Sequence, residues 1–343
     1  MKLKELKRIL SIAMITIMCT AVTACSSQTS EGSSSEETSI TQEVEAQENE
    51  ASGQDQEAEA KDVANGEMPE GEAPDGQPGE KPDGEAPSNP PDGEGGGFGG
   101  GGTVTVDGGT YTTNGLGSPA IYSTADITVS DATLVSNLSE GVCIEGINSI
   151  TLNDCDLTAN NTDTNGNATF YDSIMIYQSM SGDADSGTST FTMNGGSLTS
   201  MNGHVFHVTN TTAVINLEDV EIVNEDSDNI LLSVCADGWT GDNNTATVNA
   251  SNQTLEGTIL VGDDSELTLN LTNGSSFTGT ISGEITNASG ETVSTEVGTV
   301  SVSIDTDSTW TLTADTYISS FDGDISSVNT NGYTLYVDGV AMN

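Results

Sequence analysis

One pattern of alternating apolar residues keeps returning along the C-terminal two-thirds of this 343-residue chain. Ile127-x-Val129-x-Asp131-Ala132-x-Leu134 comes back 23 residues later as Ile150-x-Leu152-x-Asp154-Cys155-x-Leu157. It returns as Phe191-x-Met193-x-Gly195-Gly196-x-Leu198 and as Ile215-x-Leu217-x-Asp219-Val220-x-Ile222, at spacings of 41 and then 24. Weaker echoes stand at Leu267-Leu269-Leu271 and Val300-Val302-Ile304, and Tyr333-Leu335-Val337 reads as a closing strand. A second apolar run precedes each unit, as in Ala120-Ile121-Tyr122, Val142-Cys143-Ile144, Ile174-Met175-Ile176, Val205-Phe206, Ile230-Leu231-Leu232 and Ile259-Leu260-Val261.

Alternate residues of a strand point to one face, so Ile127 and Val129 face a core while Thr128 and Ser130 face water. The Asp, Asn or Gly that follows breaks the strand, because these residues tolerate left-handed backbone and cap their own turns. Short strands repeating every 22–25 residues or so, without helical periodicity, describe a solenoid whose coils stack. Hairpin spacing of about 8–12 residues, which a sandwich or propeller would show, is not evident. The expectation is an all-β chain: a right-handed parallel β-helix over residues 103–343, following a disordered linker.

The N-terminus reads as an export signal. Residues 1–8 are basic, residues 9–22 are apolar with few interruptions, and Val22-Thr23-Ala24 offers small residues for cleavage. The apolar stretch is about 14 residues, short for a membrane span. Val-Thr-Ala-Cys resembles a bacterial lipobox. That implies a lipoprotein signal peptide at 1–24 and a lipidated Cys25, with more than one acyl chain for lasting attachment to the cell membrane on its extracytoplasmic face. Residues 25–102 read as a linker, first rich in Ser, Glu, Gln and Ala, then in Pro-acid-Gly units such as Pro69-Glu70-Gly71 and Pro82-Asp83-Gly84, and last in glycine. Its apolar surface is too small to offset ordering entropy, and its like charges repel.

Charge narrows the function. All six Lys and Arg residues lie at or before Lys81, while 103–343 carries 32 acids. A domain with no fixed cation cannot hold a phosphate backbone, so nucleic acid is excluded as a partner. It also has no guanidinium to clamp a substrate carboxylate.

Segments 121–129, 143–152, 176–184, 206–217 and 308–318 resemble secreted β-helix proteins of gut and anaerobic bacteria, described as adhesin-like or carbohydrate-binding, within the wider pectate-lyase-like group. The resemblance spans nearly all of 103–343. It implies the β-helix fold and, by analogy of fold, a carbohydrate partner. Hydrolases of that group carry an NTD, a GDD-like pair, a GH and then a basic RIK. Here Asn161-Thr162-Asp163, Gly203-His204 and Gly262-Asp263-Asp264 occur with the acid pair after the histidine, and the basic motif is absent. Lyases of the fold use a Lys or Arg base, which this domain lacks. A hydrolase needs only two carboxylates about 5–9.5 Å apart, and no spacing selects such a pair.

Asn161-x-Asp163-x-Asn165-Gly166-x5-Asp172 has the spacing of a twelve-residue calcium loop, with Asn at its first position and Asp instead of Glu at its last. A second protruding loop offers Asp183 and Asp185 to calcium. His204 and His207 stand three apart in one strand, which projects them to opposite faces. Cys143 and Cys155 occupy ladder positions as small buried hydrophobes, and with Cys235 they make an odd set unsuited to a disulfide framework. Trp239, in Asp237-Gly238-Trp239, and Trp310 are the sugar-stacking candidates. The reading is a cell-surface lipoprotein displaying an acidic β-helix that binds a glycan or a cell-surface protein without catalysis. Its alternatives are a polysaccharide hydrolase using an Asp/Glu pair and a structural envelope protein without ligand.

Overall fold

The computed structural model describes residues 102–342, except 165, 183 and 240–242. The signal peptide, Cys25 and the linker up to residue 101 lie outside the described residues, as do the calcium candidates Asn165 and Asp183.

The described chain is a parallel β-helix. Three stacks of parallel strands run along it, and the coils up to Ile281–Ser282 add one strand to each. Sheet 1 has nine strands, from Thr103–Asp107 through Asp126–Ser130, Ser149–Asn153 and Thr188–Asn194 to Ser320–Asp322. Sheet 2 has five strands, Thr110–Thr113 to Glu221–Asn224, and a four-stranded sheet from Thr254–Glu256 to Val328–Asn329 follows it. Sheet 3 has seven, from Ile121–Ser123 to Ile281–Ser282. The repeating pattern is the stacking register itself. Ile127 pairs with Ile150, then Phe191, Ile215, Val248, Leu269 and Val302, and all but Ile127 are buried.

The corners after four successive sheet 1 strands are left-handed, with Asp131, Asp154, Gly195 and Asp219 at φ between 49° and 67°. Asp and Gly are there because a left-handed residue costs other side chains more. At Gly196 the reason is space as well: a Cβ would lie 2.0 Å from the Cys155 carbonyl oxygen. Outward positions of sheet 1 form a wet amide ladder, in which Asn249 donates to Asn216 at 2.9 Å and accepts from Asn270 at 2.8 Å.

One strand of sheet 1, Asn244–Ser251, is missing from the sequence pattern. Its inward residues are Ala246, Val248 and Ala250, too small to stand out as an apolar run, yet all are buried in the ladder. The end formed by Leu335–Val337 closes as expected, with Val340–Met342 turning back antiparallel against it.

Candidate functional site

The 41-residue spacing comes from two excursions flanking a single strand of sheet 3, Asp172–Tyr177: residues 160–171 before it and 178–187 after it. The described parts of these, with residues 235–239 and 283–298, lie against the outer side of sheet 3. The middle strands are therefore buried along their length, Asp172–Tyr177 entirely and His204–Thr209 at all but its first residue.

Entry to sheet 3 changes which residues face out. Three successive coils turn the corner on two consecutive buried residues, Ser173-Ile174, Val205-Phe206 and Leu231-Leu232. Ser173 points across the interior to sheet 2, its hydroxyl donating to Ser200 Oγ at 2.7 Å. The period-two alternation restarts after this double step. Residues three apart across it share the outer face, and this overturns the expectation for the histidines. His204 Nδ1 and His207 Nδ1 both lie 2.7 Å from Ser233 Oγ.

These groups form a closed polar chain. His207 Nε2 faces Asp237 Oδ2 at 3.3 Å, and both side chains are shut from solvent. Asp237 Oδ1 accepts from the Thr169 hydroxyl at 2.6 Å, the Thr169 amide at 2.9 Å and the Gly238 amide at 2.8 Å. Phe170 covers both imidazoles, its ring centroid 5.3 Å from His204 and 4.9 Å from His207. Residue 169 and the 283–298 excursion are tied together as well, Ala288 N donating to Thr169 O at 2.9 Å.

Charge is sorted along this face. Burial, then the neighbouring His207, hold His204 down at about 3, so its ring is neutral. Burial pushes Asp237 upward, but the bonds from His207, Thr169 and Gly238 outweigh it and keep the carboxyl below its usual range. Asp172, pairing in register with His204, is 1% exposed, and neither carboxyl oxygen has a hydrogen-bond partner. Burial, then the charges of Glu140 and Asp237, drive its pKa well above the carboxylate range, so it is a neutral acid. Burial also raises the Cys143 and Cys235 thiols, which removes them as nucleophiles.

Ser233, His207 and Asp237 stand in the order of a nucleophile relay. Ser233, however, has no exposed surface and lies under the rings that Phe170 covers. As folded, the relay is a clamp: it fixes the 160–171 and 235–243 excursions to the sheet.

Beside the clamp is an aromatic patch. Trp239, half-buried, packs on Tyr177 with ring centroids 4.9 Å apart, and Cys143 and Met175 lie beneath. Tyr122 is 47% exposed; its hydroxyl lies 2.9 Å from that of Tyr177 and donates to the buried carboxylate of Glu145. Ser181 donates to the other oxygen of Glu145 at 3.3 Å.

The remaining sequence candidates are scattered. Trp310 is fully buried, stacked on Phe277 at 5.7 Å with Nε1 donating to the Gly279 carbonyl, so a sugar-stacking role for it is corrected to a core role. Asn161 is buried, Asp163 is exposed, and Asp172 is inside a strand. Asp185 is exposed, and its carbonyl accepts from Ile147 N. Among the described residues no three His, Cys, Asp or Glu side chains converge as a metal site. Asp263 and Asp264 are exposed in a turn, whereas His204 is held under Phe170. Nothing in the spacing pointed to Ser233 or Glu145, whereas Tyr122, Tyr177 and Tyr317 stand out in the sequence as aromatics on or beside strands. Asp237 carried one signal, two residues before a tryptophan in a Gly-containing loop.

The chain matches no protein-family profile, no curated protein and no solved structure. Among the described residues no helix is long and apolar enough to cross a membrane.

Proposed function

We propose that this chain is a surface lipoprotein, held at the membrane through Cys25, that displays an acidic β-helix and binds a neutral glycan or a glycan-bearing cell-surface protein without catalysis. The observation that carries the reading is the Trp239–Tyr177–Tyr122 patch with Glu145 beneath it. An aromatic face gives a sugar ring a stacking surface, and buried Glu145 fixes the half-exposed Tyr122 hydroxyl at its rim. The domain has no cation with which to hold an anionic polymer, and its acids repel one. An array of neutral and anionic glycans, probed with and without calcium, tests this. Neutral glycans should bind and Trp239→Ala should abolish binding at the patch, whereas capture of anionic glycans alone would overturn the reading. The membrane part is separate: Cys25→Ala should release the protein from the membrane fraction.

A hydrolase is the second reading, and one observation favours it. Asp172 is held as an acid and Asp237 as a carboxylate on one face, the kind of division of labour that acid–base pairs use. Both are closed off as folded. Reducing-end release from a glycan, lost in Asp237→Asn, would establish the hydrolase over the binding protein.

A further inference from the structure

Sheet 3 stops early. Its last strand, Ile281–Ser282, pairs only with Thr258–Val261. The strand that the next coil places near this corner, Thr316–Ile318, pairs instead with Leu335–Val337. The excursion at 283–298, which folds on itself as an antiparallel pair of Ile285–Thr286 with Thr292–Ser294, fills the chain between them. The interrupted stack leaves a groove of about 390 Å³ between the two strand ends. That is at the small end of the range of roughly 300–1,000 Å³ usual for ligand sites.

The groove is lined by Thr280, Ser282, Glu284, Thr295, Asp315 and Tyr317, among others. Tyr317 is 50% exposed, and its other face is stacked on Tyr336 at 4.5 Å and 5°. It therefore offers one rigid aromatic face. Asp315 is fixed through one carboxylate oxygen, which accepts from Thr334 N at 2.8 Å. Thr280 and Thr316 hydroxyls meet at 2.8 Å across the gap, bridging its two sides.

We infer that this groove is a binding site for a neutral pyranose residue of a glycan, stacked on Tyr317 with its hydroxyls donating to Glu284 and Asp315. The chemistry selects that class. An anion meets two carboxylates and no cation. A quaternary amine is best held by a cage of several aromatic faces, and Tyr317 presents a single one because Tyr336 occupies the other. A sugar ring uses a single flat face, and the carboxylates and the Thr and Ser hydroxyls suit its rim. The inference shares its ligand class with the proposed function, but its residues and place in the fold are separate from the Trp239 patch.

The test is calorimetric titration of the full chain with cellohexaose, xylohexaose, mannohexaose and choline. Hydroxyl-radical footprinting of Tyr317 accompanies it, so the result stands even for a variant that folds poorly. A saturable hexasaccharide that protects Tyr317 is expected. Its affinity should fall at least tenfold in Tyr317→Ala, persist in Tyr317→Phe, and be unchanged at this site in Trp239→Ala. Binding abolished by Trp239→Ala and untouched by Tyr317→Ala would overturn the groove while leaving the proposed function standing. Choline binding that depends on Tyr317, with no hexasaccharide bound, would overturn the ligand class. No saturable binding of any hexasaccharide would overturn both.

Discussion

Sheets 1 and 3 are built from the same coils around the same core, yet their outer faces differ. Sheet 1 turns Thr, Ser and Asn to water, and its amide ladder repeats from coil to coil. Sheet 3 turns Met175, His207, Ser233, Cys143 and Asp172 outward, and all of them are buried under chain excursions. A wet face needs only side chains that water can satisfy. A covered face must satisfy its polar groups within the protein, and there each unpaired group is costly. The contrast teaches that in this fold specific chemistry belongs to the covered face, while the open face does the stacking.

The largest effect should come from the shared interior. Leu217→Asp places a charge in the ladder between Met193 and Ala250, with no cation anywhere in the domain to meet it. It should cost at least about 4 kcal/mol and unfold the described coils together. The neighbouring outward Asn216→Asp should change stability by about 0.5 kcal/mol or less. Thermal melts of the two variants check this, and equal losses would break the inward–outward assignment.

Next in size is the acid response of the covered face. His204 is neutral in the fold with its pKa down at about 3, whereas an unfolded histidine titrates near 6.5 or so. Its contribution to stability is therefore complete above about pH 6.5 and is lost as pH falls from there toward 3. Asp237 has a depressed pKa, so its contribution is complete above about pH 4 and lost below. Between about pH 6.5 and 4.5 Asp172 acts in the opposite sense, its raised pKa favouring the fold as pH falls, so the histidine is isolated in an Asp172→Asn background. Asp172→Asn should lose stability across that window, and adding His204→Phe should flatten the loss. A flat profile for Asp172→Asn across that window would contradict the closed, neutral environment of His204.

Much of the fold was legible because a ladder is a repetition, and repetition survives in sequence. Ile127, Ile150, Phe191 and Ile215 show it at sight. Asn244–Ser251 was not legible, since Ala246 and Ala250 fit the ladder by being small. The site was less readable for a different reason. Period-two reasoning assigns His204 and His207 to opposite faces, and it fails where a corner spends two consecutive residues, Val205 and Phe206, on the interior. Calcium spacing over 161–172 likewise assumes one continuous loop, whereas Asp172 already belongs to a strand. Trp310 has the alternation of a core residue with Leu312, and that pattern was the better guide to it.

Asp172 gives an effect of opposite sign. Its pKa is raised, so the fold is favoured below about pH 4 and loses that advantage as pH rises toward the elevated value. Asp172→Asn keeps the shape and removes the titration. Its stability relative to wild type should therefore improve as pH climbs from 4 to 8. Urea melts at each pH would show this, and a constant difference between the two proteins would mean that Asp172 titrates normally.

The smallest effect sharpens the comparison most. Asn249 sits mid-ladder on sheet 1, bonded to Asn216 and Asn270, and it is partly open to water. In Asn249→Ala, water can take over the abandoned amides, so the loss should stay within about 1 kcal/mol. His207→Ala also removes one polar side chain with two partners, but it leaves Asp237 Oδ2 unpaired and Ser233 with His204 alone, where Phe170 and residue 169 pack over the sheet. That variant should lose roughly 2–4 kcal/mol, because a buried carboxylate keeps its three donors on Oδ1 but loses the only partner of Oδ2 in a place closed to water. Denaturant melts of the two proteins at pH 7 set one against the other. Similar losses would mean that solvent reaches sheet 3 as freely as sheet 1, and the division between a stacking face and a chemical face would fail with it.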